Sequence, residues 1–101
     1  IDLGAKKMIG AEKGTTKIAV EIKSFINKSA LHDFYKALGQ NNFYKVALRR
    51  KMPERILFLA VPLDAYNDFF DDDFVEEVVK EYHVKIIVYN IEKEIIEQWI
   101  H

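Results

Sequence analysis

Glu21-Ile22-Lys23 sets a carboxylate and an ammonium two residues apart, a spacing that on a β-strand turns both side chains to one face. One acid lies well upstream at a strand end, Asp2. Two carboxylates brought together from neighbouring strands make an oxygen-rich site suited to Mg²⁺, which takes one or two protein carboxylates and completes its shell with water and phosphate oxygens. A lysine beside such a site can hold a water or stabilise the charge that builds on phosphorus. A salt bridge on a solvated strand face would use the same Glu21 and Lys23, and spacing alone leaves both readings open.

The elements that would position these residues are legible from periodicity. Ile1 to Leu3 reads as a strand end and Lys7 to Glu12 as a second strand. After the turn Lys13-Gly14-Thr15-Thr16, Lys17 to Lys23 alternates Ile18, Val20 and Ile22 against Lys17, Ala19, Glu21 and Lys23. A loop of residues 13–16 sets position 12 opposite 17, 10 opposite 19 and 8 opposite 21, so small Gly10 and Ala19 should leave room on the Glu21 face. Ser29 is the expected N-cap of a long helix with a stripe of Leu31, Phe34, Tyr35, Leu38, Phe43, Val46 and Ala47, a kink at Gly39 and a stop at Pro53. Arg55 to Val61 reads as a buried parallel strand closed by Pro62. Asp64 to Tyr82 should be helical, with Phe70, Phe74, Val78 and Tyr82 facing inward behind Asp71-Asp72-Asp73 as a helix start. Lys85 to Tyr89 and Glu94 to Ile100 form a final hairpin. The order is β-β-β-α-β-α-β-β, an α/β chain with a mixed sheet.

Length and composition narrow the classes. The 101 residues are 50% hydrophobic and 31% charged and include no cysteine, which fits one globular domain and excludes disulfide scaffolds and cysteine-ligated metals. Ile56 to Val61 is the longest apolar run, too short to span a bilayer, and charges among the first thirteen residues argue against a signal peptide. The expected setting is a cytoplasm, with no membrane partner. The net charge of −1 conceals a split: residues 1–51 hold four acids and eleven bases, a net of +7, and residues 52–101 hold twelve acids and four bases, a net of −8. Such asymmetry hints at an anionic partner for the first half, although halves of a sequence need not be halves of a surface. The chain begins with Ile1 in what reads as a strand already under way, so an N-terminal segment is expected to be missing.

The stretches Ile1-Asp2-Leu3-Gly4-Ala5, Ala11-Glu12-Lys13, Lys17 to Phe25, Ser29-Ala30-Leu31, Ala37-Leu38-Gly39-Gln40, Pro53 to Leu57, Ala60-Val61-Pro62 and Gln98-Trp99 closely resemble XisH, the fdxN-element excision controlling factor family of cyanobacteria. The resemblance runs over nearly the whole chain. It implies a restriction-endonuclease-like fold of the PD-(D/E)xK superfamily, longer at the N-terminus by a helix, and a role in heterocyst DNA rearrangement. Carried over residue by residue, it makes Asp2 the first metal-binding acid, Glu21 the second, Lys23 the catalytic lysine and Gln40 a helical glutamine near the site. The sequence departs from the superfamily pattern in having Ile1 rather than proline before Asp2 and nineteen positions from Asp2 to Glu21. Glu12 is a competing ligand.

Two functional expectations follow. In one, the chain is a Mg²⁺-dependent DNA endonuclease that acts in programmed excision, with Asp2 and Glu21 holding metal and a homodimer allowing both strands to be cut. Lys45, Arg49, Arg50 and Lys51 on the long helix would then meet DNA phosphates, although cations also favour a helix C-terminus. In the other, the nuclease fold is retained without turnover and the chain works by binding a partner protein of the excision system through its acidic half and apolar C-terminal hairpin. Tyr35, Phe43 and Tyr44 could stack on bases, but at helical spacing they are expected in the core. His32, His83 and His101 are scattered singly and offer no zinc or relay site.

Overall fold

The structure is a computed structural model that describes the backbone of residues 2–3 and 6–101 and the side chains of residues 8–101. Its strands are β1 (Asp2–Leu3), β2 (Lys6–Lys7), β3 (Ile9–Lys13), β4 (Thr16–Ile22), β5 (Ile56–Pro62), β6 (Ile86–Asn90) and β7 (Ile95–Ile100). The long helix α1 (Ala30–Lys51) joins β4 to β5, and the short α2 (Leu63–Ala65), a π-helical turn (Tyr66–Phe70) and α3 (Asp73–Glu81) join β5 to β6. β1 and β2 pair with each other, while the other five form one sheet in the order β3-β4-β5-β6-β7.

This sheet is parallel in its centre and antiparallel at both edges. Hairpins need only a tight turn, so they make the edges; the parallel pairs need crossovers, and the helices supply them. Crossovers of one hand that advance in one direction lay their helices on one side of the sheet. Phe34 and Ala37 of α1 and Val75 and Val79 of α3 accordingly share one core with Leu59, Val61, Ile86 and Val88.

The hairpin register follows the sequence expectation: Gly10 pairs with Ala19 and Glu12 with Lys17, through a turn in which Gly14 takes the left-handed conformation at φ 63°. Ser29 caps α1 by accepting from the His32 amide at 3.1 Å, and the helix ends at Lys51, two residues before Pro53. It runs unbroken through Gly39. β5 is parallel to both neighbours and nearly all buried.

Three expectations need correction. The inward stripe of α1 is Phe34, Ala37, Asn41, Tyr44 and Leu48, whereas Leu31, Tyr35, Phe43 and Val46 are exposed. Two similar apolar stripes compete on this weakly amphipathic helix, and the sheet accepts the one that includes a polar residue. The second crossover is not one helix: the π-helical turn interrupts it and Asp72 starts α3 afresh, so Val75 and Val79 face inward and Phe74 and Tyr82 outward. The C-terminal hairpin is in part a core cover, because Trp99 packs edge-on against Phe58 at 5.3 Å on the helix-free face of the sheet. Lys13 of β3 reaches both the Trp99 ring, at 4.7 Å, and His101 Nε2, at 2.8 Å, so the sheet curls until its two edges meet across that face.

Asp72 Oδ1 accepts from the amides of Phe74 and Val75 at 2.9 and 3.1 Å. Asp72→Ala should therefore lower unfolding free energy by about 1 kcal/mol in denaturant titration, with Asp71→Ala, which caps nothing, close to neutral.

Candidate active site

Glu21 is only 2% exposed. Its neighbour on the same face of β4, Ala19, belongs to an apolar cluster with Met8, Tyr44, Leu48 and Leu57, and its partner across the parallel pair, Leu59, belongs to the core of Phe34 and Ala37. The carboxylate thus enters the layer between sheet and α1 at the seam of two apolar clusters. Burial there carries a large desolvation penalty for a charged group, which a fold does not bear without a use or a compensating partner.

Helix α1 brings polar side chains to the same layer. Asp33, Ala37, Gln40 and Tyr44 are spaced i, i+4, i+7, i+11 and make one ridge of the helix. Its orientation follows from Tyr44, whose phenol is pushed above the usual tyrosine range first by burial and then by the negative charge of Glu21. Gln40 Oε1 is buried with no hydrogen-bond partner, as are Asp33 Oδ2 and both polar atoms of Asn41, which is 1% exposed. Asp33 Oδ1 accepts from Asn27 Nδ2 at 2.8 Å. Buried polar atoms without a protein partner are uncommon in folded proteins, and each calls for an explanation.

Lys23 follows the last residue of β4, and its amide donates to the Ala60 carbonyl at 2.9 Å, so the parallel pairing continues past Glu21 and keeps Lys23 on the Glu21 face. The chain then turns sharply at Phe25, which holds the left-handed conformation at φ 54°. Its ring packs edge-on against Phe70 at 5.4 Å, and this contact offsets the backbone strain.

Of the residues expected at the site, Glu21, Lys23 and Gln40 come to one layer. Asp2, in β1, pairs through its backbone with Lys7 of β2, and its side chain lies outside the described residues. Glu12 is exposed opposite Lys17, about 13 Å along the strand from the level of Glu21, and is not brought to it. The room expected beside Gly10 is filled: the Arg55 guanidinium lies over it, and a Cβ there would meet Nη1 at 3.2 Å. The basic residues divide. Arg49, Arg50 and Lys51 are exposed in the last turn of α1, whereas Lys45 Nζ donates to the Tyr82 carbonyl at 2.6 Å and ties α1 to the end of α3. Sequence reasoning missed Asp33 and Asn41, and it expected Tyr44 in the core, where it lies, without placing it beside Glu21. The available signal was that Asn41 falls at helical spacing from Phe34, Ala37 and Leu48.

Among the described residues no three His, Asp or Glu side chains gather as a metal cluster, and no helix is long and apolar enough to cross a membrane. A Mg²⁺ site needs fewer protein ligands than three, and the buried oxygens of Glu21, Gln40 and Asn41 are of the kind that hard cations and their bound waters use.

The sequence model for the XisH protein family matches residues 1–97. The chain belongs to the XisH family. The same architecture is found in the crystal structure of an XisH family protein from Nostoc punctiforme, with 50% identity and a TM-score of 0.87, covering 93% of this chain and 74% of that one. A fdxN element excision controlling factor protein from Anabaena variabilis is similar at 49% identity and a TM-score of 0.88, covering 95% of this chain and 75% of that one. No curated protein matches the sequence. The mixed five-stranded sheet with helices is therefore the XisH fold.

Replacing Asn41, a fully buried amide with no partner, by leucine of similar volume should raise the stability of this XisH-family chain by about 1–3 kcal/mol, seen as a higher denaturant midpoint at unchanged m-value. A loss of stability would mean that the amide is satisfied in solution.

Proposed function

We propose that this chain acts in control of the excision of a DNA element, the role named for its Anabaena variabilis relative, and that it does so as a Mg²⁺-dependent endonuclease. The observation that carries this reading is the burial of Glu21 beside a helix face with unpartnered oxygens, with Lys23 on the same strand face. Asp2 and Glu21 would hold the metal, which when bound acidifies water and shields phosphate charge.

The remaining work falls to this chain's own groups. In phosphodiester hydrolysis a water gives up a proton to solvent as its oxygen bonds to phosphorus, the bond from phosphorus to one sugar oxygen breaks, and that oxygen takes up a proton from solvent. Lys23 would donate hydrogen bonds to the non-bridging oxygens where negative charge builds. Gln40 Oε1 would accept from the attacking water and orient it. Tyr44 keeps the layer closed beneath Glu21, and the apolar clusters on either side exclude bulk water.

The test is plasmid cleavage by the full-length protein with Mg²⁺. Glu21→Ala and Lys23→Ala should each cut at least about 100-fold more slowly than wild type; equal rates in all three would remove the nuclease reading.

A second reading is favoured by a groove of about 390 Å³ between α1 and α3, in which Leu31, Tyr35 and Phe74 are exposed beside Asp68 and Asp72. Here the XisH fold would bind a partner protein of the excision system, without turnover. Phe74→Asp would abolish complex formation in size-exclusion chromatography while Glu21→Ala left it intact, and the reverse pattern would exclude this reading.

A further inference from the structure

Four cations converge at the end of the α1 layer remote from Lys23. Lys45, Arg49 and Arg55 line a cleft of about 280 Å³ with Leu48, Pro53 and Leu57. Lys85 lies close by, because its charge adds to burial in holding the Lys45 ammonium below the usual lysine range. Among the described residues none of these four cations forms an ion pair with a carboxylate. Like charges gathered in a concave, partly desolvated place repel one another, and a fold that keeps them so gains from an anion.

Arg55 is the fixed member. Its guanidinium lies across Gly10, and Nη1 donates to the Ile18 carbonyl at 2.7 Å and the Ala11 carbonyl at 3.3 Å. Two backbone acceptors hold the fork in place where it borders the cleft. A planar guanidinium fixed in this way is suited to a phosphate oxygen. Arg49 borders the same cleft from the exposed last turn of α1, where Arg50 and Lys51 continue the positive charge outward. A single small anion has no use for such an extension, whereas a chain of phosphates does. Arg55 stands four residues before Leu59, the partner of Glu21, which places the cleft about 13 Å along the sheet from the proposed site of cleavage.

We propose that the cleft of Lys45, Arg49 and Arg55 binds a phosphodiester of a polynucleotide backbone, at a subsite separate from the Glu21 site. This deepens the nuclease reading by giving it a substrate-positioning contact, but its test does not need cleavage. A fluorescently labelled DNA duplex is titrated with the full-length protein in the absence of divalent metal, over a series of salt concentrations. Arg49 is exposed and holds no other element, so Arg49→Ala should leave the fold intact. It should weaken binding about tenfold and reduce the slope of log K against log salt by about 0.9, the loss of one phosphate contact. Lys93→Ala, in the β6–β7 loop, should bind as wild type does.

Equal affinity and equal slope for Arg49→Ala and wild type would overturn the proposal. So would amide shifts at Leu48 and Leu57 on adding inorganic phosphate that are matched by no effect of Arg49→Ala on the duplex, since the cleft would then serve a free anion. A protein that binds duplex through Arg49 but never cuts it would remove the nuclease reading and leave this one standing.

Discussion

The burial of one carboxylate constrains the rest of this structure. Glu21 enters the layer between the sheet and α1 where apolar side chains would pack more cheaply, and everything around it is arranged to tolerate that placement. The helix presents Gln40, Asn41 and Tyr44 there instead of the Phe43 and Val46 stripe that it also carries. The parallel pairing runs on through Lys23 before the chain turns at Phe25. A core built for stability alone would fill the seam with leucine. On the proposed reading, keeping it polar gives up stability for a metal site, the usual relation between stability and function.

The crossovers put both helices on one face of the sheet, and the buried Glu21 lies beneath α1 on that face. The other face is closed partly by the sheet's own curl, which brings Lys13 to Trp99 and His101 over Phe58. The split of charge between the halves of the sequence maps only partly onto the surface. Arg49, Arg50 and Lys51 do form a positive end of α1 and Asp72 does cap α3, but Arg55 and Lys85, both from the acidic half, complete the basic cleft.

Much of the fold was legible because its signals are local. Alternation of Ile18, Val20 and Ile22, the turn at Gly14, the cap at Ser29 and the unbroken run after Arg55 each specify an element without reference to the others, and the hairpin register follows from loop length. That Glu21 and Lys23 share one strand face was legible for the same reason. What escaped was decided by tertiary choice. Which of two stripes on α1 faces inward depends on what the sheet offers, and the sheet offers a carboxylate; hence Asn41 went unseen and Tyr35 and Phe43 were misplaced, while Tyr44 lies in the core as expected. The role of Arg55 was hidden because it depends on the missing side chain of Gly10, on a strand that is not its immediate neighbour.

The central claim is that Glu21 is kept buried in order to hold a cation, and the most direct measurement is the thermal melting of the full-length protein with and without saturating Mg²⁺, for wild type and for Glu21→Gln. A ligand that binds the folded state alone raises its stability by mass action. The account predicts a midpoint raised by several degrees in wild type and an unchanged one in Glu21→Gln. A wild-type midpoint indifferent to Mg²⁺, or an equal rise in both proteins, would contradict it.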